Sequence, residues 1–383
     1  MARKKVLMVA SVASMIGQFN MENIRLLQEL GYEVYVACNF IEGSTWKKEN
    51  SDNLKKKLHE MGVETYQIDF SRSPLHIGEH KKAYNQLLDV MTKNNYLFAH
   101  CHSPIGGVIT RMVCKKLGMK CLYTAHGFHF YTGAPLKNWL LFYPIEKYYS
   151  KYTDTLITIN QEDYNRAKSK FKSKNLEYVP GIGVDACKSE LSNDEKQKIR
   201  KSLGVKPGQL MMMSVGEVSE RKNHAIVIEA LHKMNNKNIQ YFICGKGKLQ
   251  DYLQDKIKEY NLEDNVHLLG FRSDIAQLNQ AADMFIFPSL QEGLPVALME
   301  AMANKNLALC SDIRGNTDLI NRKEYLFNPK DADSVVKSIE YAINNPKKAD
   351  DIRVNYENII NKFSTKVVDE KMREIYKSYK KVE

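Results

Sequence analysis

Two carboxylates in one short apolar segment are the residues of this chain best suited to chemistry. Glu292 and Glu300 lie eight positions apart within "FPSLQEGLPVALMEAMA", residues 287–303. An ionised side chain in apolar surroundings costs several kcal/mol unless it is paired or hydrogen-bonded. The segment predicts a strand end, a turn at Gly293 and a helix from Pro295, because proline needs no amide N–H at the first helical position. We therefore expect the carboxylates to serve a ligand.

The start of that helix is suited to an anion, because its free N–H groups and partial positive charge attract phosphate. Glu292 lies in the loop before the helix and Glu300 lies inside it, so acceptor groups flank the anion on both sides. A nucleotide-sugar, with a diphosphate between ribose and sugar, fits this arrangement. Taken singly, Glu292 could be a loop or capping residue and Glu300 an exposed helix residue. The neighbouring glycine and proline favour the ligand site.

The composition is that of a globular protein. The chain has 383 residues, of which 43% are hydrophobic and 26% charged, enough for roughly two to three domains. No apolar run reaches the ~18 residues of a membrane-spanning helix. The first 17 residues resemble a secretory signal, but the pattern that follows favours a buried strand at Lys5–Ala10 and a loop at Ser11–Gly17. Seven cysteines without a CxxC pair favour a reduced, cytoplasmic protein.

The net charge of +11 is concentrated in the first half of the chain. Residues 1–180 contain 25 Lys and Arg against 16 Asp and Glu, whereas the remainder contains 31 against 29. Such a surplus could meet nucleic acid, anionic lipid or a phosphorylated substrate, or it could be a generic surface feature. Because positive charge is the only feature of the sequence that favours nucleic-acid binding, we expect no nucleic-acid partner.

Strand-like and helical runs alternate twice along the chain, which predicts an α/β protein with parallel sheets covered on both faces. "KVLMVA" opens the first series and "LMMMSVG" opens the second after a lysine-rich patch. We predict one Rossmann-like domain at residues 1–182 and a second at 183–364. A charged helix at 365–383 is expected to pack on the first. Ligands of open parallel sheets bind beyond the carboxyl ends of the strands, so a cleft between facing sheets is the predicted site.

The spacing E-G-x-P-x-x-x-x-E after "PS" resembles the signature of the retaining glycosyltransferases of family four, which have the GT-B fold. Segments elsewhere in the chain also resemble this family: "SVGEVSERKNH", "ICGKGKL", "VHLLGFRSDI", "SDIRGNTDLI" and "TAHGFHFYTG". The last is similar to a segment of bacterial polysaccharide enzymes. The resemblance covers essentially the whole chain. It implies two Rossmann-like domains that face each other across a cleft, with residues 1–182 forming the acceptor-binding domain and residues 183–364 the nucleotide-sugar-binding domain.

The resemblance implies roles for the residues of the glutamate segment. Glu292 would hold hydroxyls of the donor sugar and Glu300 the ribose. Gly293, Leu294 and Pro295 would line the same donor site.

A second donor-binding segment follows the strand "LMMMSV". Lys222 stands where the family has its diphosphate-binding lysine, and Gly216 ends the preceding strand. Many relatives have arginine directly after this glycine, but this chain has Glu217. The resemblance leaves open whether Arg221 or Arg314 supplies the second cation or whether the diphosphate is held more weakly.

Further predicted contacts are supported by fewer residues. Phe271 and Arg272 lie in the segment that would meet the nucleotide base, although core packing would explain Phe271 equally well. Gly17 would let a loop approach the diphosphate closely, or it marks a simple turn. His126 would lie near the donor sugar and phosphate, where an imidazole could donate to developing charge. It could also be a structural histidine.

No metal or other cofactor is expected. "HCH" at residues 100–102 contains two potential ligands, but adjacent strand residues point to opposite faces and the sequence shows no further ligand cluster. The segment at 135–152 mixes aromatic residues with lysines. It predicts either an interfacial patch on an anionic membrane or a partly buried helix whose lysines extend to solvent.

The function that the resemblance implies is sugar transfer in extracellular polysaccharide assembly. The donor would be a nucleotide-diphosphate sugar, with UDP favoured, and the acceptor a saccharide carried on polyprenyl diphosphate. The enzyme would act in the cytoplasm at the inner face of the membrane. A nucleotide-sugar epimerase and a non-catalytic nucleotide-sugar-binding subunit are the alternatives. A dehydrogenase is not expected, because G-x-G-x-x-G does not follow the first strand.

Overall fold

The computed structural model of the protein describes residues 3–41, 46–187 and 189–380. The chain forms two compact units. The N-terminal unit contains the residues up to Ile182 together with those from Val368 onward, and the C-terminal unit contains Gly183–Val367.

The N-terminal unit is built on a seven-stranded parallel sheet with the strand order β3-β2-β1-β4-β5-β6-β7. Its strands are β1 (Lys5–Val12), β2 (Glu33–Asn39), β3 (Glu64–Gln67), β4 (Tyr96–His102), β5 (Lys120–Ala125), β6 (Thr155–Thr158) and β7 (Asn175–Tyr178). The helices between them are α1 (Ala13–Phe19), α2 (Met21–Glu29), α3 (Lys48–Glu60), α4 (Ile77–Lys93), α5 (Pro104–Leu117), α6 (Leu136–Ser150) and α7 (Gln161–Lys170).

The C-terminal unit repeats this plan with six parallel strands in the order β10-β9-β8-β11-β12-β13. Its strands are β8 (Leu210–Val215), β9 (Ile239–Cys244), β10 (Val266–Gly270), β11 (Met284–Phe287), β12 (Leu307–Ser311) and β13 (Leu326–Phe327). Its helices are α8 (Asn193–Ser202), α9 (His224–Met234), α10 (Gln250–Glu259), α11 (Ile275–Ala281), α12 (Val296–Ala303), α13 (Ala332–Asn344) and α14 (Lys348–Phe363).

The central strands are apolar along their length because both of their faces are covered. In β1, Val6 and Met8 belong to one buried cluster, whereas Leu7 and Val9 belong to the cluster on the opposite face. Successive strand residues point to opposite faces, so a strand between two helical layers needs apolar residues at every position.

The loop predicted at Ser11–Gly17 is wrong. Strand β1 continues to Val12 and α1 begins at Ala13, so that Gly17 lies inside a helix. Burial of Ala13 and Ile16 stabilises this helix, although glycine alone disfavours it. A Cβ on Gly17 would lie 3.0 Å from the Trp46 ring, so close packing explains the small residue. Its contact with a diphosphate stays a prediction.

The last helix, α15 (Thr365–Ser378), completes the core of the N-terminal unit. Val368, Met372 and Ile375 are buried at helical spacing, as expected for an amphipathic helix. The backbone oxygen of Tyr376 accepts a hydrogen bond of 2.9 Å from the Tyr32 hydroxyl. The sheet and the last helix are thus joined by polar contacts as well as by packing.

A buried ion pair fixes α6 to its neighbours. The Arg111 guanidinium on α5 lies 2.8 Å from the Glu146 carboxylate on α6, and both side chains are buried. The Tyr123 hydroxyl on β5 donates to the same carboxylate at 3.1 Å, and Arg111 also lies over the Tyr123 ring. Among the described residues, neither α6 nor any other helix is long and apolar enough to cross a bilayer.

We expect Glu146→Ala to destabilise the N-terminal unit by about 3–5 kcal/mol, because it leaves the Arg111 guanidinium buried without a counter-charge. Both tryptophans of the chain, Trp46 and Trp139, lie in this unit, so urea unfolding followed by tryptophan fluorescence reports on it. The matched control is Asp89→Ala, which breaks the exposed pair with Lys93 and should cost under about 0.5 kcal/mol. Equal midpoints for the two variants would contradict this account of α6.

Candidate functional site

Loops that follow strands β8 and β11 bring three charged side chains together in the C-terminal unit. The Glu292 carboxylate accepts a hydrogen bond of 2.8 Å from the Lys222 ammonium and one of 2.7 Å from the Arg221 guanidinium. Both bonds end on the same oxygen, Oε1. Lys222 and Glu292 are only 12% and 10% exposed, whereas Arg221 is 45% exposed. The cluster therefore has a largely buried pair at its centre and an accessible cation at its rim.

The surroundings of Lys222 make it unusual among the lysines of the chain. Its ammonium lies 4.3 Å from the centre of the Phe287 ring, a favourable contact for a cation. Burial lowers the pKa of Lys222 below its ordinary value, and the Glu292 carboxylate opposes this effect. A desolvated cation held beside one carboxylate is suited to attract a second anion.

Asn223 holds the loop that carries Lys222 in place. It has a left-handed backbone with φ at 56°, which asparagine tolerates better than most residues. Its side-chain amide donates to the backbone oxygens of Pro288 at 3.1 Å and Pro329 at 2.8 Å. Sequence reasoning missed this residue, and the position of an asparagine directly before a helix was the available signal.

Arg314 supports the glutamate loop from the other side. It is buried, and its guanidinium donates two hydrogen bonds, of 3.1 and 2.9 Å, to the backbone oxygen of Glu292. Gly315 has a φ of 81°, and a Cβ there would lie 2.3 Å from the oxygen of Gly293. Of the two candidate cations, Arg221 therefore contacts the carboxylate and Arg314 contacts the backbone.

The helix after the glutamate loop is α12, and it begins one residue later than predicted. Pro295 precedes the helix in an extended conformation, and Val296 is the first helical residue. Leu294 is buried beside it. Glu300 is an exposed residue of α12 whose carboxylate has no partner among the described residues. Desolvation by the surrounding protein nevertheless raises the pKa of this carboxyl above its ordinary value.

The loops after β8 and β9 approach each other closely at glycines. Gly245 has a φ of 154°, and a Cβ there would lie 1.8 Å from the oxygen of Gly216. Gly216 in turn lies against the side chain of Lys222, with 3.1 Å from an ideal Cβ to Cε. Gly245 of "ICGKGKL" thus permits the close packing that positions Lys222. Glu217, which follows Gly216, is exposed.

The residues predicted to meet the nucleotide base lie just beyond β10. Phe271 is 77% exposed, so the alternative explanation by core packing is wrong. Arg272 donates two hydrogen bonds, of 2.8 and 2.6 Å, to the Asp274 carboxylate. The Arg272 guanidinium is thus paired within the segment, whereas the Phe271 ring is exposed; contact of either with a base stays a prediction.

His126 lies in the N-terminal unit, directly after β5, and belongs to a histidine cluster. Its Nε2 lies 3.0 Å from Nδ1 of His102, and the rings of His100 and His102 are 4.3 Å apart. The expectation that strand geometry separates His100 from His102 is wrong, because residues two positions apart in a strand share a face. No group of three metal-ligating side chains occurs in the part of the chain that the structure describes. Burial lowers the pKa of His126 to about 4, so at neutral pH this ring carries no charge.

Two Rossmann-like parallel sheets, one of which carries a lysine–glutamate cluster beyond its strands, define a GT-B glycosyltransferase. Two family descriptions match the chain: "Glycosyl transferase 4-like" over residues 5–160 and "Glycosyl transferases group 1" over residues 195–358. The chain is 33% identical to EpsD of Bacillus subtilis (strain 168), which is named as a glycosyltransferase, over 98% of this chain and 97% of that protein. The chain therefore belongs to the family-four glycosyltransferases of polysaccharide biosynthesis.

Two further similarities concern one enzyme of known name and one solved structure. An Escherichia coli enzyme named "UDP-Gal:alpha-D-GlcNAc-diphosphoundecaprenol alpha-1,3-galactosyltransferase" is 27% identical over 77% of this chain and 79% of its own length. The crystal structure of HepE from Anabaena in complex with UDP superposes with a TM-score of 0.77 at 18% identity, covering 98% of this chain and all of that one. This second likeness concerns the fold. The predicted fold and family are thus confirmed, and the roles of the individual residues stay predictions.

The Lys222–Glu292 contact makes a direct prediction for the ligand-free protein. In Glu292→Ala, the pKa of Lys222 should fall further below its ordinary value, because the carboxylate that opposes desolvation is gone. Acetylation of Lys222 at a series of pH values, read by mass spectrometry, should show deprotonation at lower pH than in the wild type. Glu263→Ala, an exposed change elsewhere in the same unit, is the control. An unchanged Lys222 titration in Glu292→Ala would contradict the ion pair.

Proposed function

We propose that this glycosyltransferase moves a sugar from a UDP-sugar to a saccharide acceptor carried on a lipid diphosphate, with retention of the anomeric configuration. The observation that carries the proposal is the largely buried Lys222 beside Glu292, with the Arg221 cation at its rim. The name of the Escherichia coli relative, with UDP-galactose as donor and a diphosphoundecaprenol acceptor, supports it. The UDP in the HepE structure supports the choice of base.

In this proposal the ion pair changes partners when the donor binds. The diphosphate takes the place of Glu292 beside the Lys222 ammonium. The carboxylate, released from its two cations, then accepts hydrogen bonds from hydroxyls of the donor sugar. Glu300 binds the ribose, for which its exposed position on α12 is suitable. Phe271 offers its exposed ring to the base.

The transfer step requires no protein nucleophile. The bond between the anomeric carbon and the diphosphate oxygen breaks, and the acceptor hydroxyl oxygen bonds to that carbon on the same face. The hydroxyl proton passes to the departing diphosphate, which leaves as UDP. Lys222 and Arg221 stabilise the negative charge that develops on the leaving group, since cations placed where charge develops lower the barrier. These two side chains supply the positive charge, so the proposal includes no metal and no other cofactor.

We expect Glu292→Ala and Lys222→Ala each to lower the rate of transfer by at least ~100-fold, because each removes a positioning or charge-stabilising contact. The measurement is transfer from a panel of UDP-sugars to a lipid-linked saccharide. Glu263→Ala and Lys258→Ala, which change exposed residues of the same unit, should retain nearly full activity. Near-normal turnover in both site variants would refute the assignment.

The same assay separates the alternatives. An epimerase would convert the UDP-sugar without any acceptor, whereas the proposed transferase releases UDP in step with glycosylated acceptor. A non-catalytic subunit would bind the nucleotide-sugar, yet polysaccharide output in cells would survive Glu292→Ala. Thermal shift with UDP shows that each variant is folded, because a ligand that binds only the folded state stabilises it.

Helix α6 is the surface that we propose to meet the membrane. Leu136 and Leu140 are 73% and 70% exposed one helical turn apart, and Leu141 is also exposed. Lys147 and Lys151 lie further along the same segment, both exposed. Apolar side chains next to lysines suit the interface of an anionic bilayer. A cytoplasmic enzyme held there would be close to its lipid-linked acceptor.

The double substitution Leu140→Ser with Leu141→Ser should lower partitioning onto anionic phospholipid vesicles by at least roughly tenfold, since each leucine loses its apolar burial. Co-sedimentation at low salt is the measurement, and added salt should weaken wild-type binding by screening the lysines. Leu75→Ser, at another highly exposed leucine of the same unit, is the matched control. Unchanged binding of the double variant would locate any membrane contact elsewhere.

A further inference from the structure

A chain of three side chains in the N-terminal unit ends at His126. Met8 on β1, His102 on β4 and His126 after β5 lie on neighbouring strands of the sheet. Nε2 of His102 lies 3.1 Å from the Met8 sulfur, and Nδ1 of His102 lies 3.0 Å from Nε2 of His126. His102 is 1% exposed, so bulk solvent does not compete for its two ring nitrogens.

The chemistry of the three groups allows only one arrangement of protons. A thioether sulfur has no hydrogen and can only accept, so Nε2 of His102 must be the donor in the contact with Met8. Burial holds the pKa of His102 well below its ordinary value and that of His126 near 4. Each ring is therefore neutral at physiological pH and carries a single N–H. Nδ1 of His102 is consequently bare and must accept the N–H of His126.

We propose that Met8 and His102 lock His126 in the tautomer with the proton on Nε2, so that its Nδ1 is a permanent hydrogen-bond acceptor for a substrate hydroxyl. Nδ1 of His126 has no partner among the described residues. The ring borders a cavity of about 30 Å³ next to Phe19 and Asn23, which is space for one water-sized group. His102 and Met8 are then positioning residues that act through His126.

This assignment changes the role expected for His126. A neutral ring whose only N–H is occupied cannot donate to developing charge, and its low pKa makes it a weak base. It can accept a hydrogen bond from a hydroxyl and thereby orient that group. The choice of a sugar or acceptor hydroxyl as its partner rests on the proposed transfer function, whereas the tautomer itself does not.

Nitrogen NMR of histidine-labelled protein tests the lock without any activity measurement. The chain has ten histidines, and comparison with His126→Ala assigns the signals of this ring. The wild type should show a protonated Nε2 and a bare Nδ1 on His126. Met8→Leu nearly conserves volume but removes the acceptor, so the His126 signals should shift toward a mixture of tautomers. Met212→Leu, at a buried methionine in the C-terminal unit, should leave them unchanged.

Substitutions of His102 provide a second test. His102→Asn keeps an acceptor near the position of Nδ1 and should preserve the His126 pattern, whereas His102→Leu should abolish it. Transfer should fall by at least roughly tenfold in His102→Leu and should recover in His102→Asn. His102→Leu should add nothing to His126→Ala if the two act as one unit.

A proton on Nδ1 of His126 in the wild type would overturn the inference, as would a pattern that neither Met8→Leu nor His102→Leu alters. A confirmed tautomer with unchanged transfer in His126→Ala would instead count against the role of His126 in the proposed function.

Discussion

The Lys222–Glu292 ion pair is the buried interaction that the loops after β8 and β11 are built to hold. Two opposite charges that are both about nine-tenths buried are stable only if the surrounding groups hold them in contact. The structure uses a separate device for each partner. Asn223 ties the lysine loop to Pro288 and Pro329, and Arg314 ties the glutamate loop by its backbone. The pair is thus a preorganised place for charge, and the hydrogen bonds that hold its two loops do not run through the pair itself.

The fold was predictable from the sequence because its signals are local. Largely apolar strands that alternate with amphipathic helices indicate parallel sheets. Strand β1 illustrates the reason, because each of its two faces packs into a separate buried cluster. The boundary at Ala13 was not predictable in the same way. The glycine of α1 argues against a helix, and burial of Ile16 outweighs this preference. Tertiary packing of this kind is not visible in a short window of sequence.

The candidate site was predictable in part, for a similar reason. Glu292, Lys222 and their glycines are recognisable by type and spacing. The support that Arg314 gives to Glu292 runs through a backbone oxygen, which the side-chain pattern does not reveal. The histidine cluster was misjudged because His100 and His102 were treated as adjacent, whereas the residue between them faces the other side. Three-dimensional neighbours on separate strands, such as Met8 and His102, have no sequence signal at all.

The position of α15 in the chain has a consequence for biogenesis. Val368, Met372 and Tyr376 belong to the same buried cluster as Val6 and Met8 of the first strand. Ribosomes deliver the first strand before the C-terminal unit and these residues after it, so the hydrophobic interior of the leading unit stays unfinished until the trailing unit has been made. Domains usually mature in the order in which they emerge. Here the trailing unit can be assembled while the leading one still exposes an apolar face, which makes the nascent chain a natural client for chaperones.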